Sequence, residues 1–187
     1  LCIETNLIEH ERHRRRNKSF QWAVGQLQQM GARGELEDAS ALTSFGEHDG
    51  VLLVDRRGRI EYASGIATNL YRRTGIVEGL IGKKVSEIGT FDAAIVAPVF
   101  DGSHCTQQET TEGGRTWIKR GIPILAVVEG SRRLSALELL FARYFERHVV
   151  ASLVLIRDTT ESRLQEQEIK VKTAMLREVH HRVKNNL

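Results

Sequence analysis

Gly50-Val51-Leu52-Leu53-Val54-Asp55-Arg56-Arg57-Gly58-Arg59-Ile60-Glu61-Tyr62-Ala63 reads as strand, turn, strand. Gly50 to Asp55 is an apolar run of the length a buried strand takes. Arg56 to Arg59 is a polar turn around a glycine, and Ile60 to Ala63 alternates apolar with polar. Strands joined this closely pair as a hairpin, so the region starts with antiparallel sheet.

Downstream the period changes. Ser64 to Ile81 reads as short helices broken at Gly75 and Gly79. Phe91 to Phe100 is a longer helical stretch that Pro98 must bend or end. Two strands follow, Thr106–Thr111 and Thr116–Val128, joined by Glu112-Gly113-Gly114-Arg115, whose glycines supply the positive φ angles of a tight hairpin. The last strand is Val149–Arg157. Two strands, a run of small helices and three strands give an α+β order with one antiparallel sheet. Between the last two strands, Ser131–His148 carries Leu134, Leu137, Leu140, Phe141, Tyr144 and Phe145 at helical spacing. It reads as an inserted helix that packs on the domain's own core, with a dimer contact or a lid over a pocket as the sharper alternative.

Upstream, the first thirty residues read as helix, with Leu7, Phe20, Trp22, Val24, Leu27 and Met30 among strong helix formers and no proline. Gly31 and Gly34 end it at a hinge. Its basic run, Arg12 to Lys18, reads as a solvated face. Beyond Thr160 the chain is helical again. Ile169, Leu176 and Val183 are spaced by seven, with Lys172, Val179 and Asn186 as a second, imperfect set. Neither terminal helix has an evident partner for its apolar stripe within the chain, so both are expected to meet a second copy as a homodimer.

Composition narrows the classes. Among 187 residues, 27 basic groups face 24 acidic ones, a net charge of +3. The mixed surface argues against direct nucleic-acid binding, which needs a concentrated basic face. The longest apolar runs, Ile122–Val128 and Val149–Ile156, fall short of the roughly 18 residues a membrane span takes. Cys2 and Cys105 stand far apart without CxxC spacing, so neither a disulfide framework nor a metal site is expected. A reducing cytoplasm fits this pattern. The chain opens without Met and reads as a segment of a longer protein.

From about Gly46 to Glu161 the sequence resembles a PAS domain, the small sensor fold of five antiparallel strands with helices over one face. Asp158-Thr159-Thr160-Glu161 resembles the Asp-Ile-Thr-type ending that couples such a sheet to its output helix. On that helix, Arg177-Glu178-Val179-His180-His181-Arg182-Val183-Lys184-Asn185-Asn186-Leu187 closely resembles the phosphoacceptor box of sensor histidine kinases of the second HisKA-type family and its HWE relatives, whose hallmark is His-Arg-Val-Lys-Asn. At about 100° per residue, His181 points away from the stripe of Ile169, Leu176, Val179 and Val183, while His180 lies roughly 70° from it. His181 is therefore the candidate acceptor and His180 a packing residue. Glu178 and Asn185 share the face of His181. A carboxylate there can hold one ring nitrogen and leave the other as nucleophile. Asn185 could bond the phosphoryl oxygens, and Arg182 and Lys184 add positive charge.

The resemblance implies an organisation: residues 1–45 a connector helix and hinge, 46–161 the PAS sensor with its 131–148 insertion, and 162–187 a linker helix and the start of the phosphoacceptor helix. It also implies ATP-dependent autophosphorylation of His181 in the full-length kinase, then transfer to an Asp of a response regulator. Members closest in motif pair a GAF with a PAS domain and signal to regulators with an RNA-binding antitermination output. ATP and Mg2+ belong to a nucleotide-binding domain outside this segment, which should be inactive alone and is expected to hold no cofactor. His104-Cys105-Thr106 does not match the reactive-cysteine motif of flavin-binding relatives, and the Phe91–Phe100 helix carries no haem-ligating His. A small organic ligand, or none, is left for the sensor pocket. The rival reading is a non-catalytic PAS ligand-binding or dimerisation module.

Overall fold

A computed structural model describes residues 17–36, 46, 48–102, 104–127 and 147–185. The elements in chain order are α1 (Lys18–Ala32), β1 (Gly50–Asp55), β2 (Ile60–Ala63), α2 (Gly65–Arg73), α3 (Asp92–Gly102), β3 (Thr106–Glu112), β4 (Arg115–Val127), β5 (Arg147–Asp158) and α4 (Thr160–Asn185). The strands form one five-stranded sheet in the order β2-β1-β5-β4-β3. Every neighbouring pair is antiparallel. The expected α+β architecture is present, and both hairpins fall where the sequence puts them. Gly113 and Gly114 have φ of 55° and 74°, as their turn requires.

Strand β1 is a continuous apolar run because it is covered on both faces. Leu52 and Val54 join Ile60, Leu70, Ile95, Trp117, Val154 and Ile156 under α2 and α3. Val51 and Leu53 lie on the other face with Tyr62, Ile124, Ala151, Leu153 and Leu155. Helix α1 closes that face with Ala23, and Phe20 and Leu27 pack beside it. The expectation that the N-terminal stripe lacks a partner within the chain is corrected here. Alternation along β1 presents apolar groups to both sides, and α1 covers the side that α2 and α3 leave open. Burying each large aliphatic side chain contributes about 1.5–3 kcal/mol, so a bare outer face would be costly.

One further expectation is revised and another narrowed. Ser64–Ile81 holds one helix rather than several: Ser64 caps α2 by accepting from the Ala67 amide at 3.1 Å, and α2 stops before Gly75, whose φ is 98°. Helix α3 runs through Pro98 to Gly102, so of the two expected effects, bending or ending, the proline does not end it. Pro98 and Ala94, whose carbonyl loses its helical partner, are both exposed, so water can take the unpaired oxygen. The inserted segment's apolar positions, Leu134 to Phe145, lie outside the described residues, as do Arg12–Arg16, Cys2, Leu7 and Asn186. His148 belongs to β5.

Helix α2 meets the sheet at a glycine. A Cβ added at Gly50 would lie 2.9 Å from the Ala67 Cα and 3.1 Å from its nitrogen, both backbone atoms. Gly50→Ala must push α2 off β1 and should cost about 1–3 kcal/mol by urea unfolding. Gly25→Ala, on α1 with nothing within 4 Å of the added carbon, should instead stabilise by about 0.5–1 kcal/mol. Equal effects of the two substitutions would show that the close α2–β1 approach does not control stability.

Candidate functional site: the signalling helix and its root

Strand β5 ends at Asp158 and α4 begins two residues later. The Asp158 carboxylate accepts from the Thr160 amide at 3.0 Å and the Thr160 hydroxyl at 2.5 Å, so the side chain closes the turn that starts the helix. Its other oxygen takes Arg115 Nη1 at 2.7 Å, from the first residue of β4. Thr116 completes the joint: its carbonyl accepts from the Thr159 amide at 2.9 Å, and its amide donates to Thr160 Oγ1 at 3.0 Å. One turn on, Arg163 bonds Glu109 of β3 and, at 2.9 Å, Glu166. The root of α4 is thus tied to β3, β4 and β5 together.

Past this root the helix leaves the sheet. Its 26 residues span about 39 Å, and every residue from 161 to 184 is exposed. Ile169, Leu176 and Val183 are 65%, 62% and 54% exposed, and Leu164, Met175 and Val179 are similarly open. The heptad stripe therefore finds no cover in the described residues of the same chain. Surface pairs support the helix: Lys170–Glu166 at 2.9 Å, Lys172–Glu168 at 2.6 Å and Arg182–Glu178 at 2.7 Å. Each is worth only about 0.3–0.5 kcal/mol.

His181, Glu178 and Arg182 all lie on this exposed helix, and Asn185 is its last residue. Glu178 and Arg182 are brought together, the Arg182 Nε donating to Glu178 Oε1. The carboxylate that sequence reasoning aims at an imidazole thus also serves a guanidinium. His180 is exposed as well. Sequence reasoning missed the Arg163–Glu109 tie, which joins residues 54 apart in the chain. It also missed a buried ion cluster behind the sheet. Lys119 Nζ lies 2.7 Å from Glu112 Oε1 and 3.1 Å from Asp92 Oδ1, and Tyr71 donates its hydroxyl to Asp92 Oδ2 at 2.7 Å. Burial, reinforced by Asp92, raises the Tyr71 pKa well above its ordinary value. The available signal was parity, since Lys119 shares a strand face with Trp117.

No protein-family model matches the chain. It is 27% identical over 189 aligned residues to the sensor histidine kinase PdtaS of Mycobacterium tuberculosis, an alignment covering 90% of this chain and 33% of that protein. To PdtaS of Mycolicibacterium smegmatis it is 29% identical over 149 residues, covering 74% of this chain and 26% of that one. The chain thus spans about a third of the length of the curated relatives it matches. Among solved structures, the sensor region of a sensor histidine kinase superposes with a TM-score of 0.56 at 24% identity, covering 78% of this chain and 53% of that one. The fold is a PAS fold. Among the described residues, no helix is long and apolar enough to cross a membrane, and no cluster of His, Cys, Asp and Glu could hold a metal ion.

Asp158 should make this joint acid-sensitive. Burial pushes its carboxyl up, but the Thr160 hydrogen bonds and Arg115 outweigh that and hold it below its ordinary value of 3.8. A depressed carboxyl stabilises the fold fully above its unfolded pKa and loses that contribution as pH falls through the folded value. Asp158→Asn should therefore lower stability at pH 7 by about 1–3 kcal/mol, the worth of hydrogen bonds to a charged group. The gap from the parent should be constant down to about pH 4 and close below it. Thermal unfolding at a series of pH values measures this, and a gap that persists unchanged well below pH 4 would contradict it.

Proposed function

We propose that this chain is the sensor region of a two-component sensor histidine kinase, in which a PAS domain governs phosphorylation of His181. The carrying observation is that one uninterrupted helix runs from the Asp158–Thr160 joint to His181. The similarity to PdtaS over 90% of the chain supports the same reading. In domain terms, residues 46–161 are the sensor and 162–187 the linker and first turns of the phosphoacceptor helix. Because α1 packs on the outer face of the sheet, a connector in residues 1–45 would act directly on the sensor body.

In the proposed reaction, a ring nitrogen of His181 attacks the γ-phosphorus of Mg-ATP and ADP leaves. The phosphoryl group then passes to an aspartate of a response regulator. ATP and Mg2+ are supplied by the nucleotide-binding domain that the phosphoacceptor resemblance implies. Exposure of His181 supports access by such a domain. Glu178 orients the imidazole, Arg182 holds Glu178 in place through their 2.7 Å pair, and Asn185 receives phosphoryl oxygens. The PAS domain needs no cofactor for this role. A regulator with an RNA-binding antitermination output, and a cytoplasmic location, follow from the family resemblance.

Two measurements test the reading. The full-length kinase with Mg-ATP should form an acid-labile, base-stable phosphoprotein. His181→Gln should abolish the label with the fold intact, His180→Gln should retain label, and Glu178→Gln should slow it by roughly 10²–10⁴-fold. Normal labelling of His181→Gln would return the chain to the rival reading, a non-catalytic sensor module. Separately, the open stripe of α4 predicts a dimer. Sedimentation of the chain should show a dimer mass that falls to the monomer on Leu176→Glu with Val183→Glu, and a parent that is already monomeric would exclude this contact.

A further inference from the structure

Beside the root of α4 lies a cleft of about 510 Å³, lined by His48, Asp49, Ile66, Asn69, Arg73 and Arg157, with Asp158 among its walls. This is within the size range of small-ligand sites. It opens between α2 and the end of β5.

One of its charges is unmatched. Arg157 grips Asp49 with two bonds of 2.8 Å, and Arg120 approaches the same carboxylate at 3.6 Å. Asp158 is committed to Arg115 at 2.7 Å. Arg73 has no ion-pair partner among the described residues. Of the two guanidinium groups and two carboxylates that line the cleft, Arg73 is therefore the charge not drawn into an ion pair among the described residues. Ile66 and Leu70 offer an apolar wall on the same helix face as Asn69 and Arg73.

We propose that this cleft binds a small organic anion, its carboxylate or phosphate headgroup on Arg73 and its apolar body on Ile66 and Leu70. A guanidinium presents paired donors that match either headgroup, and a partly enclosed site screens the attraction less than open water does. The occupant would touch Asp158, the residue that starts the signalling helix, so filling the cleft acts on the joint described above. The binding claim stands independently of the phosphoacceptor reading.

The test is titration of the 187-residue chain, followed by amide chemical shifts, with benzoate, phenyl phosphate and the neutral benzamide. At least one of the two anions should perturb Gly46, Asn69, Arg73 and Arg157 saturably, and the preferred one identifies the headgroup. Arg73→Ala should weaken that binding at least tenfold. Arg57→Ala, an exposed arginine outside the cleft, should leave it unchanged, and neither variant should alter the melting temperature by more than a degree or two. Absence of saturable shifts, equal binding by benzamide, or equal binding by Arg73→Ala would each overturn the proposal.

Discussion

A single buried ammonium organises the inner side of this sheet. Lys119 of β4 is fully buried, and the groups that meet it come from three other elements and from Trp117 of its own strand. Glu112 reaches it from the end of β3 and Asp92 from the first residue of α3. Tyr71 of α2 bonds that Asp92, while the Tyr71 and Trp117 rings stand 5.4 and 5.0 Å from the cation. A lone ammonium in such a place would be untenable, and removing one partner from a buried pair costs about 3–5 kcal/mol. The helices α2 and α3 are therefore positioned by a charge requirement as well as by apolar packing. Where they sit fixes the cleft beside α2.

The outer side is held differently. Its apolar groups are closed by α1, while the polar edge is gathered around Asp49, which takes Arg157, Arg120 and the Gly46 amide. The two systems meet at the end of β5, where Arg157 faces outward and Asp158 turns to the helix root. A change on either side of the sheet therefore reaches the same two adjacent residues. From there α4 carries it outward as a rod, since the root bonds to three strands at once and nothing described touches the helix further along.

How much of this was legible in the sequence depended on how local each determinant was. The hairpins were, because Gly58 and Gly113-Gly114 dictate turns within a few residues. Helix α4 and its exposed stripe were, because seven-residue spacing is a local pattern. Helix α3 was read in the right place, but whether Pro98 ends it was not legible, because the cost of its missing amide depends on whether water reaches Ala94. The seat of α1 was missed, since an amphipathic helix states that it has a partner and not which one. The Lys119 cluster was missed for the same reason. Asp92, Glu112 and Lys119 are ordinary surface residues until a sheet brings them together. Of the proposed reactive groups, Glu178 and Arg182 could be paired from their spacing alone.

The choice between His180 and His181 shows where legibility in a single chain ends. Helical geometry separates the two by about 100°, which matters only once one direction is occupied. In the chain alone both rings are exposed, so neither is shielded. In the proposed dimer the distinction would arise as a second helix covers Leu176, Val179 and Val183. His180, at the margin of that stripe, then lies against the seam, while His181 keeps its access. On this view the identity of the reactive histidine belongs to the assembled helices. Within that proposed dimer, a rotation of α4 at its Asp158 root would change which ring is presented.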